Sequence, residues 1–420
     1  MTINANLRHV IYALSDALDL VGVDDVAHGK RVGIMAAECG RVEGLAECDT
    51  SFLFDLGMLH DIGVSSTRTH SHLVGKFDWD GSQVHCEVGY ALLKSFEPFR
   101  RMALPVRYHH TRWENLLQTG LPPETQRQAN LTYLVDRVDA LAAPHYADGS
   151  LLLFTDEIRG KISEHAGTYF SPELVELYLE ASRTEAFWLM LEPRAIQAYL
   201  NDLQARCSDY PATTRDLKRL AVIFARIVDA KSPFTAEHSV GVSRLARFLA
   251  ERLGVSIENC EKLEIAGLLH DLGKLRVPDE ILEKPGRLDK RERKIINTHS
   301  YETFQILRNI RGFEEITRWA AYHHEEPDGS GYPFHLKADA MPLEARILRI
   351  ADIFQAMVQT RPYRNGLSDV EVAAFMRELS IAGRVDARIV DVLLAELPAA
   401  RHAACPKFAA LPDDAATGAQ

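Results

Sequence analysis

An all-α fold, arranged as two homologous helical domains in tandem, is what this sequence predicts, and three observations predict it. Apolar residues recur at helical spacing through most of the chain. Alternating β-branched stretches bounded by turn residues are nearly absent. A set of histidines and aspartates occurs twice, in the same order and at nearly constant separation, over a period far too long for a solenoid. The 420 residues suit two or three domains at about 150 residues each. Hydrophobic residues at 46% and charged residues at 25% exclude wholesale disorder. With 48 basic and 59 acidic residues the net charge is −11, which argues against DNA or membrane surfaces as partners. No run approaches the ~20 apolar residues of a membrane span, and the first residues carry no leader pattern. Six cysteines without CxxC spacing read as reduced thiols, so a cytoplasmic protein is expected.

The elements follow in order. Phe52 to Leu59 forms a helix running into His60, with Gly63 as the stop. Residues 171–208 hold helical sequence broken at Glu192-Pro193; its first piece resembles DARIVDVLLAEL near 386–397 and closes the first domain. After Pro211 and two threonines, Leu217, Leu220, Ala221, Phe224, Ile227 and Val228 stripe a helix. Val242, Leu245, Leu249 and Leu253 stripe the next, which Gly254 ends. Ser256 caps a third, whose apolar face runs through Leu263, Ala266 and Leu269 to His270 before Gly273 stops it. The expected division is a first domain over 1–208, a second over 209–400 and a flexible tail over 401–420. Arg287 to Lys294 reads as a solvated helix face, and Trp79, Trp113, Trp188 and Trp319 as packing residues.

The duplicated ladder carries the chemistry. His28 precedes His60 by 32 residues, and His238 precedes His270 by the same 32. His85 lies 24 residues before His109, and His299 lies 24 before His323. The pair His109-His110 is echoed by His323-His324, Asp61 by Asp271 and Asp136 by Asp352. Two divalent ions ~3.5–4 Å apart need a bridging carboxylate and neutral nitrogens; adjacent His and Asp at a helix end supply one terminal ligand and one bridge. Mixed imidazole and carboxylate ligation favours iron, manganese or another transition metal over magnesium or calcium. One metal pair is therefore expected on His238, His270, Asp271, His299, His323, His324 and Asp352. A second is a candidate on His28, His60, Asp61, His85, His109, His110 and Asp136; the alternative there is an inherited scaffold.

With HDLGK at 270–274 and HHEEPDGSGYP at 323–333, residues 215–397 resemble the HD-GYP family of metal-dependent phosphodiesterases. The resemblance implies an HD-type helical fold, two divalent metals and a cyclic dinucleotide substrate, cyclic di-GMP or mixed cyclic GMP-AMP. It implies catalytic roles for His270, Asp271 and Lys274, and phosphate-holding roles for Arg361 and Arg364. Tyr332 either contacts substrate or only shapes its loop. Ionised water, in-line attack on phosphorus and charge spread over the phosphoryl oxygens are the chemistry such groups support. Phe234 stands where some members carry a third-metal glutamate, so two metals are expected. Gln355 replaces the family's usual aspartate, which bears on hydrogen bonding to the ligands.

The first half departs further. Val64 stands in place of the lysine, Glu114 in place of Asp328, GYP is missing, and His145 and Asp148 follow Asp136 where arginines follow Asp352. That half is either an accessory phosphomonoesterase or a regulatory or dimerisation module, and a homodimer is compatible with the latter. His70, His72 and Lys76 are candidates to replace lost groups, on a segment that reads as a mobile loop. For the whole chain the rival readings are a nucleotidase acting on monoesters and a catalytically silent nucleotide sensor.

Overall fold

A computed structural model describes the chain except residues 1, 2, 4, 23–26, 76, 80, 207–210, 232–236, 360–364 and 406–420. Phe234, Lys76, Cys207, Arg361 and Arg364 therefore lie outside the described residues. Among the described residues the fold is all helical, with three isolated bridges and no strand. None of the helices is long and apolar enough to cross a membrane.

The chain forms two compact units. One comprises Asn6–Pro211 with Leu275–Glu280; the other comprises Met1–Ala5, Ala212–Lys274 and Ile281–Gln420. Two short exchanges set this division apart from a simple cut near residue 208. Ala212 donates its N–H to Ala5 at 2.9 Å, and Asp279 caps a helix of the first unit, as described below.

In the first unit the site is carried by α1 (His28–Glu43), α2 (Glu47–Leu59), α3 (Thr67–Gly75), α4 (Gln83–Leu93), α5 (Arg100–Tyr108) and α6 (Pro123–Ala142). The second unit opens with α7 (Thr214–Ala230), whose Thr213 and Asp216 form a reciprocal capping box. Its apolar stripe, Leu217 to Val228, is buried throughout. Then come α8 (His238–Arg252), α9 (Ile257–Leu269), α10 (His299–Leu307), α11 (Glu314–Ala321) and α12 (Leu343–Val358). Gly254, at φ +76°, terminates α8, and the Ser256 side chain accepts from Asn259 to start α9.

Two expectations are corrected. The segment around His70 is not a loop but α3. The tail does not begin at 401, because Leu397–Ala404 is helical. Arg401 bonds Asp369 at 2.7 Å and the Leu367 carbonyl at 2.8 Å, and Ala400 and Ala404 are buried. Small residues read as loop in that stretch, but alanine is the strongest helix former. The helix Lys290–Asn297 buries none of its residues, in keeping with a solvated face. Trp188 and Trp319 are buried, whereas Trp79 and Trp113 are half-buried.

Candidate metal centres

In the second unit the ladder residues leave helix ends and converge. His238 opens α8, His270 and Asp271 follow α9, His299 opens α10, His323 and His324 follow α11, and Asp352 lies within α12. Asp271 lies 3.6 Å from His238 Nε2, 3.3 Å from His270, 3.4 Å from His299 and 3.8 Å from His323. Asp352 lies 3.2 Å from His238 and 3.9 Å from His270. These separations fit side chains facing a common focus.

The tautomers indicate what that focus holds. Nδ1 of His270, His299 and His323 each donates to the carbonyl three residues earlier, at 2.7, 2.6 and 2.6 Å. Their Nε2 lone pairs must therefore point inward, the arrangement typical of metal-binding histidines. His299 Nε2 then faces His323 Nε2 at 3.2 Å, which repels unless a cation accepts both. Asp271 Oδ1 is buried without a hydrogen-bond partner. A buried carboxylate oxygen left without a partner is costly and fits a divalent ion.

Electrostatics agree. Burial, helped by the neighbouring cationic side chains, takes His299 down to about 4. Burial and the adjacent imidazoles hold His323 well below the usual histidine value, so both rings are neutral at pH 7. Burial alone would raise Asp271, but His270 and Lys274 outweigh it and keep the carboxylate ionised. Burial would lower Lys274, yet Asp271, 2.5 Å away, and Asp352 raise it. Tyr332 stacks on His324 with centroids 4.8 Å apart. Its loop is held by Glu325, which accepts from Phe334 N–H at 2.6 Å and Leu336 N–H at 2.8 Å. Glu326 is clamped by Arg349 (2.7 Å) and Arg384 (2.6 Å).

The first unit brings its ladder together in the same way. Asp61 lies 3.8 Å from His28, 3.6 Å from His60, 3.1 Å from His85 and 3.6 Å from His109. Asp136 lies 3.4 Å from His28, 3.7 Å from His60 and 3.9 Å from His110. Two groups, His28–His60–Asp61 and Asp61–His85–His109–His110, share Asp61. His60 Nε2 and Asp61 Oδ1 are buried without hydrogen-bond partners, so this set also fits a cation pair.

Several residues of consequence escaped the sequence reading. Arg137, beside Asp136, donates to it from Nε at 3.1 Å and Nη2 at 2.8 Å, where the second unit has Ile353. Tyr133 is buried with its ring edge-on to His110 at 5.1 Å, whereas Tyr332 stacks on His324 in the other unit. The available signal was the residue three before the ladder aspartate, Tyr133 in one half and the loop-clamping Arg349 in the other. His145 stacks on Phe154 at 3.7 Å, and Asp148 accepts from Ser150.

The Gln355 departure has a structural explanation. His28 Nδ1 bonds Asp139 at 2.8 Å, and that buried carboxylate is neutralised by Arg31 at 2.7 Å. His238 Nδ1 bonds Gln355 Oε1 instead, and Arg31's register position holds Gly241. A Cβ there would come within 2.3 Å of the Ala404 carbonyl, so no arginine fits and a neutral acceptor replaces the carboxylate. Gln355→Leu removes that acceptor. It is expected to weaken Mn²⁺ binding to the second unit by roughly 10–100-fold, read by metal titration.

Comparison with known proteins is consistent with this geometry. The HD domain family description matches residues 222–389. The 3'3'-cGAMP-specific phosphodiesterase 1 of Vibrio cholerae is 37% identical over 398 residues, 93% of this chain and 92% of that protein. The chain belongs to the HD-GYP family. Its members are metal-dependent phosphohydrolases. The cyclic di-GMP phosphodiesterase response regulator RpfG of Xanthomonas campestris is 34% identical over 53% of this chain and 56% of its own. The crystal structure of the cyclic GMP-AMP specific phosphodiesterase V-cGAP3 of V. cholerae covers 94% of this chain and 98% of its own, at TM-score 0.64 and 25% identity.

Proposed function

We propose that the second unit hydrolyses a cyclic dinucleotide, cyclic di-GMP or mixed cyclic GMP-AMP, to the linear form with two divalent transition metals, iron or manganese. The observation that carries this reading is the meeting of His299 and His323 Nε2 beside the orphaned Asp271 oxygen, in a chain similar along nearly its whole length to a 3'3'-cGAMP-specific phosphodiesterase. Bound ions would supply the charge that ionises a water and draws electrons from the phosphoryl group.

The chain's own residues do the rest. His238, His270, His299, His323, His324, Asp271 and Asp352 hold the pair. Backbone carbonyls and Gln355 fix the imidazole tautomers. Lys274, kept protonated by Asp271, offers an ammonium to the non-bridging oxygens. Arg361 and Arg364 are assigned phosphate contacts. Tyr332, half-buried over His324, offers an aromatic face to a base. For the first unit we propose a second metal pair on the Asp61 groups, supporting an accessory phosphomonoesterase or a regulatory module.

The full chain with Mn²⁺ or Fe²⁺ is expected to cut cyclic di-GMP or its mixed analogue to the linear dinucleotide, followed by chromatography, and to stop when the metal is chelated. If both substrates stay intact in the metal-loaded protein, this reading is lost.

A further inference from the structure

Val64 occupies the position of Lys274, which leaves the first unit without a cation on its HD turn. The fold brings another side chain to the same recess. Val64 and His70 line it together with His28 and Asp61. The His70 ring lies 6.2 Å from that of His28, nearly perpendicular at 87°. His72 is engaged with another partner, stacking on Trp79 at 5.2 Å. Asp19 also lines the recess, but its carboxylate is bonded by Lys30 at 2.6 Å and Gly29 N–H at 3.3 Å.

His70 is carried by α3, nine residues long, and a helix that short is marginal alone. Both of its ends are fastened. Asp279, 1% exposed and part of the same unit, accepts from Ser66 Oγ at 2.7 Å and from the N–H groups of Thr67 and Arg68 at 3.2 Å each. At the other end Arg137 Nη1 donates to the Leu73 carbonyl at 2.9 Å and that of Phe77 at 3.4 Å. The same guanidinium holds Asp136, so the helix is tied to a ladder residue. An ordered donor loses little freedom when a ligand arrives.

An imidazole carries at least one N–H donor, and valine carries none. We propose that His70 is an anion-binding side chain of the first unit, donating to a phosphoryl oxygen of a phosphate-bearing ligand at the His28–Asp61 end of its metal centre. It thereby fills the part assigned to Lys274 in the other unit. This rests on the reading of the first unit as a metal centre.

The test uses the full chain carrying His270→Ala and Asp271→Ala, loaded with Mn²⁺, with metal content measured by elemental analysis and inorganic phosphate binding by calorimetry. The parent is expected to keep Mn²⁺ on the first unit and bind phosphate only when metal is present. His70→Ala should weaken phosphate about tenfold or more at unchanged Mn²⁺ content. His70→Lys should restore affinity, and His72→Ala should match the parent. Equal phosphate affinity in His70→Ala overturns the proposal, as does loss of Mn²⁺ with His70, which would make it a ligand to the metal. A parent that takes up no Mn²⁺ defeats the metal reading itself, and the proposal falls with it.

Discussion

Asp271→Ala is expected to lower cyclic dinucleotide hydrolysis by about 10³-fold or more, while Asp61→Ala leaves that activity within a few-fold of wild type. The size follows from position. Asp271 is within 3.8 Å of four histidines, one each from the starts of α8 and α10 and the ends of α9 and α11. No other carboxylate among the described residues touches all four. Removing it would take away the carboxylate that meets all four and leave inward-facing imidazoles that repel each other. Several kcal/mol of transition-state stabilisation depend on the metal charges, and each 1.4 kcal/mol is a factor of ten in rate. Initial rates on cyclic di-GMP and the mixed analogue, with Mn²⁺ content and circular dichroism alongside, check the outcome. A well-folded Asp271→Ala protein that still turns over would move the chemistry away from this centre. Loss of activity in Asp61→Ala alone would move it to the first unit.

The ladder was legible because side chains that converge on one point from helix ends impose spacings that the chain cannot vary freely. The 32 residues from His28 to His60, like those from His238 to His270, span one helix, a turn and the next helix. What stayed hidden depends on partners distant in sequence. Helix α3 looks like a polar loop because its cap, Asp279, lies 213 residues from Ser66. Gln355 stands out in the sequence, but its link to Gly241, which replaces Arg31, is invisible until both members of each pair share a site. Tyr133 looks like an ordinary core residue of a helix until its ring is seen beside His110. Periodicity and spacing report local geometry, and these three features are set by tertiary contacts.

The glycine of the HD motif has a task of its own, and Gly273→Ala is expected to cost about 1–3 kcal/mol of stability and about 100-fold in turnover. A Cβ at Gly273 would lie 2.1 Å from the His299 carbonyl oxygen and 2.7 Å from Glu302 Cβ. The turn that follows His270 and Asp271 therefore lies directly against the first turn of α10. Thr303 locks the approach, its Oγ1 accepting from Gly273 N–H at 3.0 Å and donating to the His270 carbonyl at 3.1 Å. Backbone cannot yield as a flexible side chain can, so the added methyl must push α10 away. His299 then moves relative to Asp271 and His323, and about an ångström of misplacement at a reacting centre costs roughly 100-fold. The first unit repeats the arrangement, with a Cβ at Gly63 falling 2.0 Å from the His85 carbonyl. Denaturant midpoints measured with and without Mn²⁺, together with turnover, separate the two effects. The variant should lose more stability in the presence of metal than in its absence, because displacement of His299 weakens the binding that links metal to folding. Wild-type turnover in Gly273→Ala would mean that the spacing between the motif turn and α10 does not set the geometry of the centre.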